Sequence, residues 1–335
     1  MKAHQYIERK SGTVITETLK ADPMLAWMYS SLRERAPYLF HLCIQPRMSS
    51  CLAWLQFDVP IIRKGGHALV HKMAYQLGID LSECLHPIER MHSLRDLFER
   101  QIEYEKCRPM PPYRTTIVSP ADARVITGSL TETDMLFAKG RFFSLSDLLG
   151  EVGTQWLACF QHGDFAVFRL TLDKYHYNHV PVSGTVVAHY ELDGVFHSCN
   201  PAAIVATATP FSQNRRVVTI IDTDVPRGSQ IGKVAMIEVV ALMIGRITQC
   251  YCKEEYNAPQ NIEQGMFLHR GQPKSLYQPG SSTDILLFEP DRIRFDQDLT
   301  QNRNRQDVYS RFSIGLGQPA VETDVKVRES IACKR

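Results

Sequence analysis

The sequence contains no apolar run of about eighteen residues, the length a helix needs to cross a bilayer. Its first residues, MKAHQYIERK, are polar and lead into no apolar stretch, so no secretory leader is expected. None of the nine cysteines forms a C-x-x-C pair, which argues against a zinc ribbon; with their odd number, a reducing compartment fits. The formal net charge of +2 among 335 residues is too small to make nucleic acid a main partner. There is no G-x-S-x-G turn to carry a hydrolase serine. Internal repeats and low-complexity tracts are also missing.

What remains falls into two textures. Residues from about 15 to 110 read as helical: Leu25, Met28, Tyr29 and Leu32 recur at helical spacing, and Pro37 and Pro46 punctuate the region. The segment MLAWMYSSLRERAPYLFHLCIQ is amphipathic and rich in aromatics. It suits packing on its own core and also suits a membrane interface. A Pro-rich joint follows at Arg108-Pro109-Met110-Pro111-Pro112-Tyr113. Beyond it, runs such as FAVFRLTL, GTVVAHYEL, RRVVTIID and TDILLFEP carry strand texture. The expected class is α+β, with a helical, possibly membrane-associating region over 1–110 and a β-rich catalytic domain over 111–335. The polar stretch 296–311 reads as a surface loop.

Several groups could carry chemistry. Asp122 lies in TTIVSPADARV, and His176 and His179 lie in Tyr175-His176-Tyr177-Asn178-His179-Val180-Pro181. Ser281 and Ser282 follow Gly280 just before an apolar strand. Histidines three apart point to opposite faces of a strand but can converge in a turn, so this pair is expected in a turn or at a strand end, as Pro181 suggests. His67 and His71 stand at helical i, i+4 spacing but lack the glutamate of H-E-x-x-H, so no metal is expected there. Asp222 and Asp224 read as turn residues at a strand end.

Four ordered segments together resemble the phosphatidylserine decarboxylase family: Pro120-Ala121-Asp122 with KGRFFSLSDLLG behind it; the Tyr-His-x-x-His-x-Pro run with Gly184; Asn214-Arg215-Arg216-Val217 with Gly245; and Gly280-Ser281-Ser282-Thr283 before LLFEP. The resemblance covers roughly residues 100–320. Two positions depart from the family pattern: Tyr177 stands where an arginine is usual, and Lys174 where an aspartate often precedes the tyrosine.

The resemblance implies a proenzyme that cuts itself. A serine oxygen attacks the preceding carbonyl to give an ester. Elimination and hydrolysis then split the chain and leave a pyruvoyl group, a covalent cofactor made from the serine itself. Decarboxylating an amino acid leaves a carbanion that needs an electron sink, and such a ketone supplies one. Asp122, His179 and the serine would form the processing triad, and His176 would serve the substrate, placing or delivering the proton after CO2 leaves. Counting from Arg270-Gly271 puts the cut between Gly280 and Ser281; counting back from Leu287-Phe288 puts it at Ser282. The first is preferred because it keeps a Gly-Ser bond. The expected reaction converts phosphatidylserine to phosphatidylethanolamine and CO2. It would take place peripherally at the cytoplasmic side of a membrane, in a homodimer of cleaved protomers. A pyruvoyl decarboxylase of a soluble aromatic amino acid, an unprocessed lipid- or protein-binding homologue, and a hydrolase using the same triad stand as alternatives.

Overall fold

The computed structural model describes residues 3–19, 22–53, 57, 66–130, 142–242, 246–279 and 282–335, and leaves aside the side chains of 49, 50, 52, 53, 66 and 67. Among them are sixteen strands. In the first half of the chain these are β1 (Gln5–Glu8), β2 (Val14–Thr16), β3 (Thr116–Val118), β4 (Ala123–Ser129), β5 (Asp164–Leu170), β6 (Tyr177–His179) and β7 (Gly184–Leu192). The rest are β8 (Arg216–Asp222), β9 (Lys233–Val240), β10 (Ile247–Gln249), β11 (Phe267–Leu268), β12 (Pro273–Tyr277), β13 (Ser282–Phe288), β14 (Ile293–Phe295), β15 (Thr323–Val325) and β16 (Ser330–Lys334). The class is α+β, as the two sequence textures indicate.

Ten strands form one sheet in the order β11-β7-β8-β9-β13-β5-β4-β15-β1-β2. β13 lies in its middle, paired antiparallel with β9 and with β5 along its whole length. Its side chains alternate between two cores: Leu286 and Phe288 enter the one containing Phe168, Met236 and Val180, while Ile285 and Leu287 enter the one containing Phe165, Val167 and Leu148. All four are fully buried, and each such side chain stabilises the fold by about 1.5–3 kcal/mol relative to exposure. A strand covered on both faces reads as an unbroken apolar run, and Asp284 is the one ionisable residue that interrupts this one.

The first face is covered by a three-stranded sheet, β10-β12-β6. Glu238 of β9 reaches each of its strands, meeting Gln249 of β10, Lys274 and Ser275 of β12, and Asn178 of β6. The two histidines ride on this smaller sheet. A third sheet, β14-β16-β3, completes the strands.

Two segments differ from the sequence reading. Residues 5–16 do not join the helical region: β1 runs parallel to β15 and antiparallel to β2, at the edge of the main sheet. Strands of three and four residues are too short for a period-2 pattern to stand out. The stretch read as a loop over 296–311 contains the helix Gln297–Arg303, whose single buried residue, Leu299, gives little apolar signal. The helical region itself spans Asp22–Trp27 to Tyr104–Cys107. Pro37 and Pro46 begin helices there, the position where a missing N–H costs nothing. The Pro-rich joint is tied down: Arg270 donates to the carbonyls of Pro111, Tyr113 and Thr116.

Candidate active site

His179 ends β6, and its amide donates to Pro120 O at 2.7 Å, which brings the strand against the Pro120-Ala121-Asp122 turn. The ring is fully buried. Nδ1 lies 2.8 Å from the carbonyl of Gly271 and so carries the proton, leaving Nε2 to accept from the Tyr175 hydroxyl at 3.0 Å. The Tyr104 ring stands edge-on at 4.9 Å. Burial, with Arg328 and Arg108 nearby, pushes this histidine down to about 3 against the pull of the Gly271 carbonyl. At neutral pH it is an uncharged base with a fixed tautomer.

Asp122 is buried on the turn into β4, but its carboxylate does not touch the His179 ring. It accepts two hydrogen bonds from Arg108, at 3.1 and 2.8 Å, and one from the Val327 amide at 2.8 Å. Arg108 is shared with Glu83 at 2.7 and 2.8 Å. Burial alone raises the Asp122 carboxyl, and the guanidinium outweighs it and holds the carboxyl below its ordinary range. Bidentate, charge-assisted bonds of this kind exceed what a neutral imidazole offers. The group that orients His179 is therefore the Gly271 carbonyl, and Asp122 acts on the ring through space.

His176 precedes β6 and is also fully buried. Phe98, from the helix Leu94–Phe98, stacks on its ring at 3.5 Å between centroids, so the helical region reaches the site here. Neither ring nitrogen has a well-formed hydrogen bond, although the Lys174 backbone is close enough to favour the protonated form. Burial, then the positive charge of Arg100, pushes this histidine down to about 3 as well. Both rings are thus neutral.

Gly280 and Ser281 lie outside the described residues. Ser282 is the first residue of β13, fully buried, and its hydroxyl has no hydrogen-bond partner among the described residues. Tyr277 links the residues that follow Ser282 to the backbone of His176. The Tyr277 amide donates to His176 O at 3.1 Å, and its hydroxyl lies 3.1 Å from Thr283 O and 2.7 Å from Asp284 Oδ1. Tyr277, the last residue of β12, thus ties the start of β13 to the backbone at His176, while His179 pairs with Pro273 at the other end of β12. The structure sets Asp122 against His179 through the backbone alone.

Sequence reasoning missed a second tier of residues. Tyr175, Tyr256 and Tyr104 surround His179, with Tyr175 and Tyr256 hydroxyls 2.7 Å apart. Glu238 of β9 and Lys274 of β12, both fully buried, pair at 2.6 Å between the two sheets. Asp284 left a visible signal as the acid inside TDILLFEP; Lys274 and Arg108 left none, because a basic residue in a loop or short strand reads as surface.

A family model described as phosphatidylserine decarboxylase matches residues 94–315, a span holding Asp122, both histidines and both serines. The chain is 34% identical over 261 residues to phosphatidylserine decarboxylase proenzyme 2 of Oryza sativa subsp. japonica, covering 76% of this chain and 39% of that one. It is 28% identical over 312 residues to the phosphatidylserine decarboxylase proenzyme of Fusobacterium nucleatum, covering 93% of this chain and 95% of the relative. The proenzyme of Desulfitobacterium hafniense is 27% identical over 315 residues, with 93% and 97% covered.

Proposed function

The chain belongs to the phosphatidylserine decarboxylase family, and from that premise we propose that it activates itself by cutting before Ser282. It is a carboxy-lyase that converts phosphatidylserine to phosphatidylethanolamine and CO2.

The observation that carries the processing step is the unpartnered, fully buried Ser282 hydroxyl at the head of the central strand. Leaving such a group without a partner costs about 1–3 kcal/mol, a cost that a chemical role accounts for. The orphaned hydroxyl suits a pyruvoyl precursor, and the ketone formed from it supplies the electron sink that decarboxylation needs. Ser281 is the other outcome of the same test.

The remaining work falls to the chain's own side chains. His179, neutral and held by Gly271 as the Nδ1–H tautomer, serves as the base for processing through Nε2. The Tyr175 hydroxyl occupies that nitrogen until the serine proton arrives. His176 faces the substrate as a second neutral base, with Phe98 stacked over it to exclude water.

Cutting before Ser282 leaves the C-terminal piece in place. Its β13 lies between β9 and β5, its β15 between β1 and β4, and its β16 pairs with β3. The fragments therefore interleave.

Among the described residues no helix is long and apolar enough to cross a membrane. Met24, Trp27, Tyr38, Leu39, Leu42 and Met48 are exposed on the helices between 22 and 53, a run that also carries Arg33, Arg35 and Arg47. These apolar and basic groups support peripheral contact with an anionic, cytoplasmic leaflet through this region.

Incubating the purified protein with phosphatidylserine vesicles and weighing the lipids tests the substrate. Phosphatidylethanolamine should appear, while free aromatic amino acids stay unchanged. Release of an aromatic amine with no change in the lipid contradicts the reading.

A further inference from the structure

Ser282 and the helical region share one end of the main sheet. Ser282 pairs with Val240 of β9, and the next pair along leads through Arg216 of β8 to Leu192, the last residue of β7. The helices dock just beyond, where the Phe196 amide donates to Ile44 O at 2.9 Å. The other end of the sheet lies at Phe288, which pairs with Val234 of β9. The same level runs through Lys233 and Asp222 to Thr185 of β7, and Thr185 pairs with Phe267 of β11. At about 3.3 Å per residue the two ends are roughly 20 Å apart.

At this far end Arg227, Lys253, Gln260, Met266, Phe267 and His269 line a cavity of about 380 Å³, a size usual for small-ligand sites. Arg227 comes from the turn between β8 and β9, Lys253 and Gln260 from the segment between β10 and β11, and the others from β11 and its flanks. Four of the six can donate hydrogen bonds: a guanidinium, an ammonium, an amide and an imidazole. No acid lines the cavity. Among the described residues none of these four side chains makes a hydrogen bond or an ion pair. By contrast, Arg108, Arg169, Arg270 and Arg311 are all bound to acceptors of the chain itself.

Two of the donors are held in place by Phe267. The Arg227 guanidinium lies 5.4 Å over its ring, and the His269 ring stands edge-on to it at 5.0 Å. Arg227 also has a φ of 66°, in the left-handed region that long side chains rarely adopt and that recurs at ligand sites. Burial, then the positive charges of Arg227 and Lys253, pushes the His269 imidazole below its ordinary value, and no carboxylate offsets them.

Two cations and an imidazole around an acid-free cavity suit a multiply charged anion. A tetrahedral dianion balances both cations and accepts from all four donors, whereas one carboxylate leaves a cation over. The cavity lies at the end of the sheet away from the exposed apolar helices, so a freely diffusing molecule suits it better than a lipid held in a leaflet there. We propose that Arg227, Lys253 and His269 bind a soluble phosphate-bearing ligand, inorganic phosphate or a phosphate monoester, at a site separate from Ser282. Equilibrium binding reads this without turnover, so it stands or falls independently of the processing scheme.

Calorimetric titration of the full purified chain with inorganic phosphate at low ionic strength is the test. Phosphate should bind saturably in the millimolar range or tighter. The double variant Arg227→Gln, Lys253→Gln should bind it at least about tenfold more weakly, yet melt like the unaltered chain when phosphate is absent. Lys72→Gln, which removes an exposed cation outside the cavity, should bind normally. Sulfate, whose charge is constant near neutral pH, should bind more tightly as pH falls, because a protonated His269 adds a third cation. The charged groups facing that ring are Arg227 and Lys253, and the Tyr251 hydroxyl meets its backbone amide at 3.0 Å. His269→Gln should flatten this pH dependence. In flotation with phosphatidylcholine vesicles containing phosphatidic acid, the double variant should behave like the unaltered chain. Absence of saturable phosphate binding up to about 10 mM overturns the proposal, as does a double variant that binds within about threefold of normal. An equal loss in Lys72→Gln also overturns it, by showing diffuse surface attraction. A double variant that loses the vesicles, from a chain that ignores free phosphate, assigns the cavity to a lipid headgroup and defeats the soluble ligand.

Discussion

Replacing His179 with glutamine should leave the chain folded but slow its self-cleavage by about 10²–10⁴-fold. The amide can still donate to Gly271 O and accept from Tyr175, so the packing contacts survive. It cannot take a proton, and removing the serine proton is the step assigned to this ring. Because the histidine is pushed down to about 3, its base form persists to low pH. Processing of the unaltered chain should therefore weaken only as pH falls towards that value, well below the ordinary histidine range near 6.5. Asp122→Asn should behave differently. The Gly271 carbonyl keeps the His179 tautomer, so the main loss should be the charge opposite Arg108, seen as a lower melting temperature with milder slowing of cleavage. Time courses of the two variants on denaturing gels compare them. A His179→Gln chain that cuts itself at the normal rate contradicts the base assignment.

The second large effect concerns Arg169. Its guanidinium, almost fully buried, holds Glu322 at 2.6 and 2.8 Å and Glu17 at 2.8 and 3.1 Å. His4 donates to Glu322 from Nε2 at 2.8 Å, because its Nδ1 accepts from the Arg311 amide. Arg124 also pairs with Glu17. His4, Glu17 and Glu322 have the residue types of a metal site, but the guanidinium already engages both carboxylates and the Arg311 amide takes Nδ1 of His4. Arg169→Met should cost about 3–5 kcal/mol in denaturant unfolding, because two carboxylates lose their shared cation in a dry setting. After cleavage the loss also removes a tie between fragments, since Glu322 lies on the C-terminal piece and Arg169 on the other. Burial raises the Glu322 carboxyl, and Arg169 outweighs it and holds it below its ordinary range, so its stabilisation is present above about pH 4.3 and lost as pH falls. In Arg169→Met the sign reverses for Glu322: without the guanidinium its buried carboxyl prefers its proton, while Glu17 keeps Arg124, and the deficit should shrink towards low pH. An equal deficit at neutral and acid pH contradicts this account.

Much of the fold was legible because its physics is local or repetitive. The apolar runs of β5, β8, β9 and β13 are covered on both faces and announce themselves as strands. The histidine segment was placed at a strand end by Pro181, and β6 ends at His179. The first two strands were not legible, because both are too short to show a pattern and β1 is held by β15, more than three hundred positions away. The same holds for Arg108 and Lys274. Their burial depends on Asp122, Glu83 and Glu238, partners that only the folded chain brings near. Asp122 stood out in its Pro-Ala-Asp turn, but its engagement with Arg108 required the three-dimensional arrangement.

Intact mass spectrometry of the purified chain, beside Ser281→Ala and Ser282→Ala, tests the central claim most directly. The unaltered protein should give two chains, the smaller running from a pyruvoyl in place of Ser282 to Arg335, its N-terminus blocked to amine reagents. Ser281→Ala should still be cut, and Ser282→Ala should stay whole. A single full-length mass from a preparation that turns phosphatidylserine over contradicts self-cleavage as the source of activity.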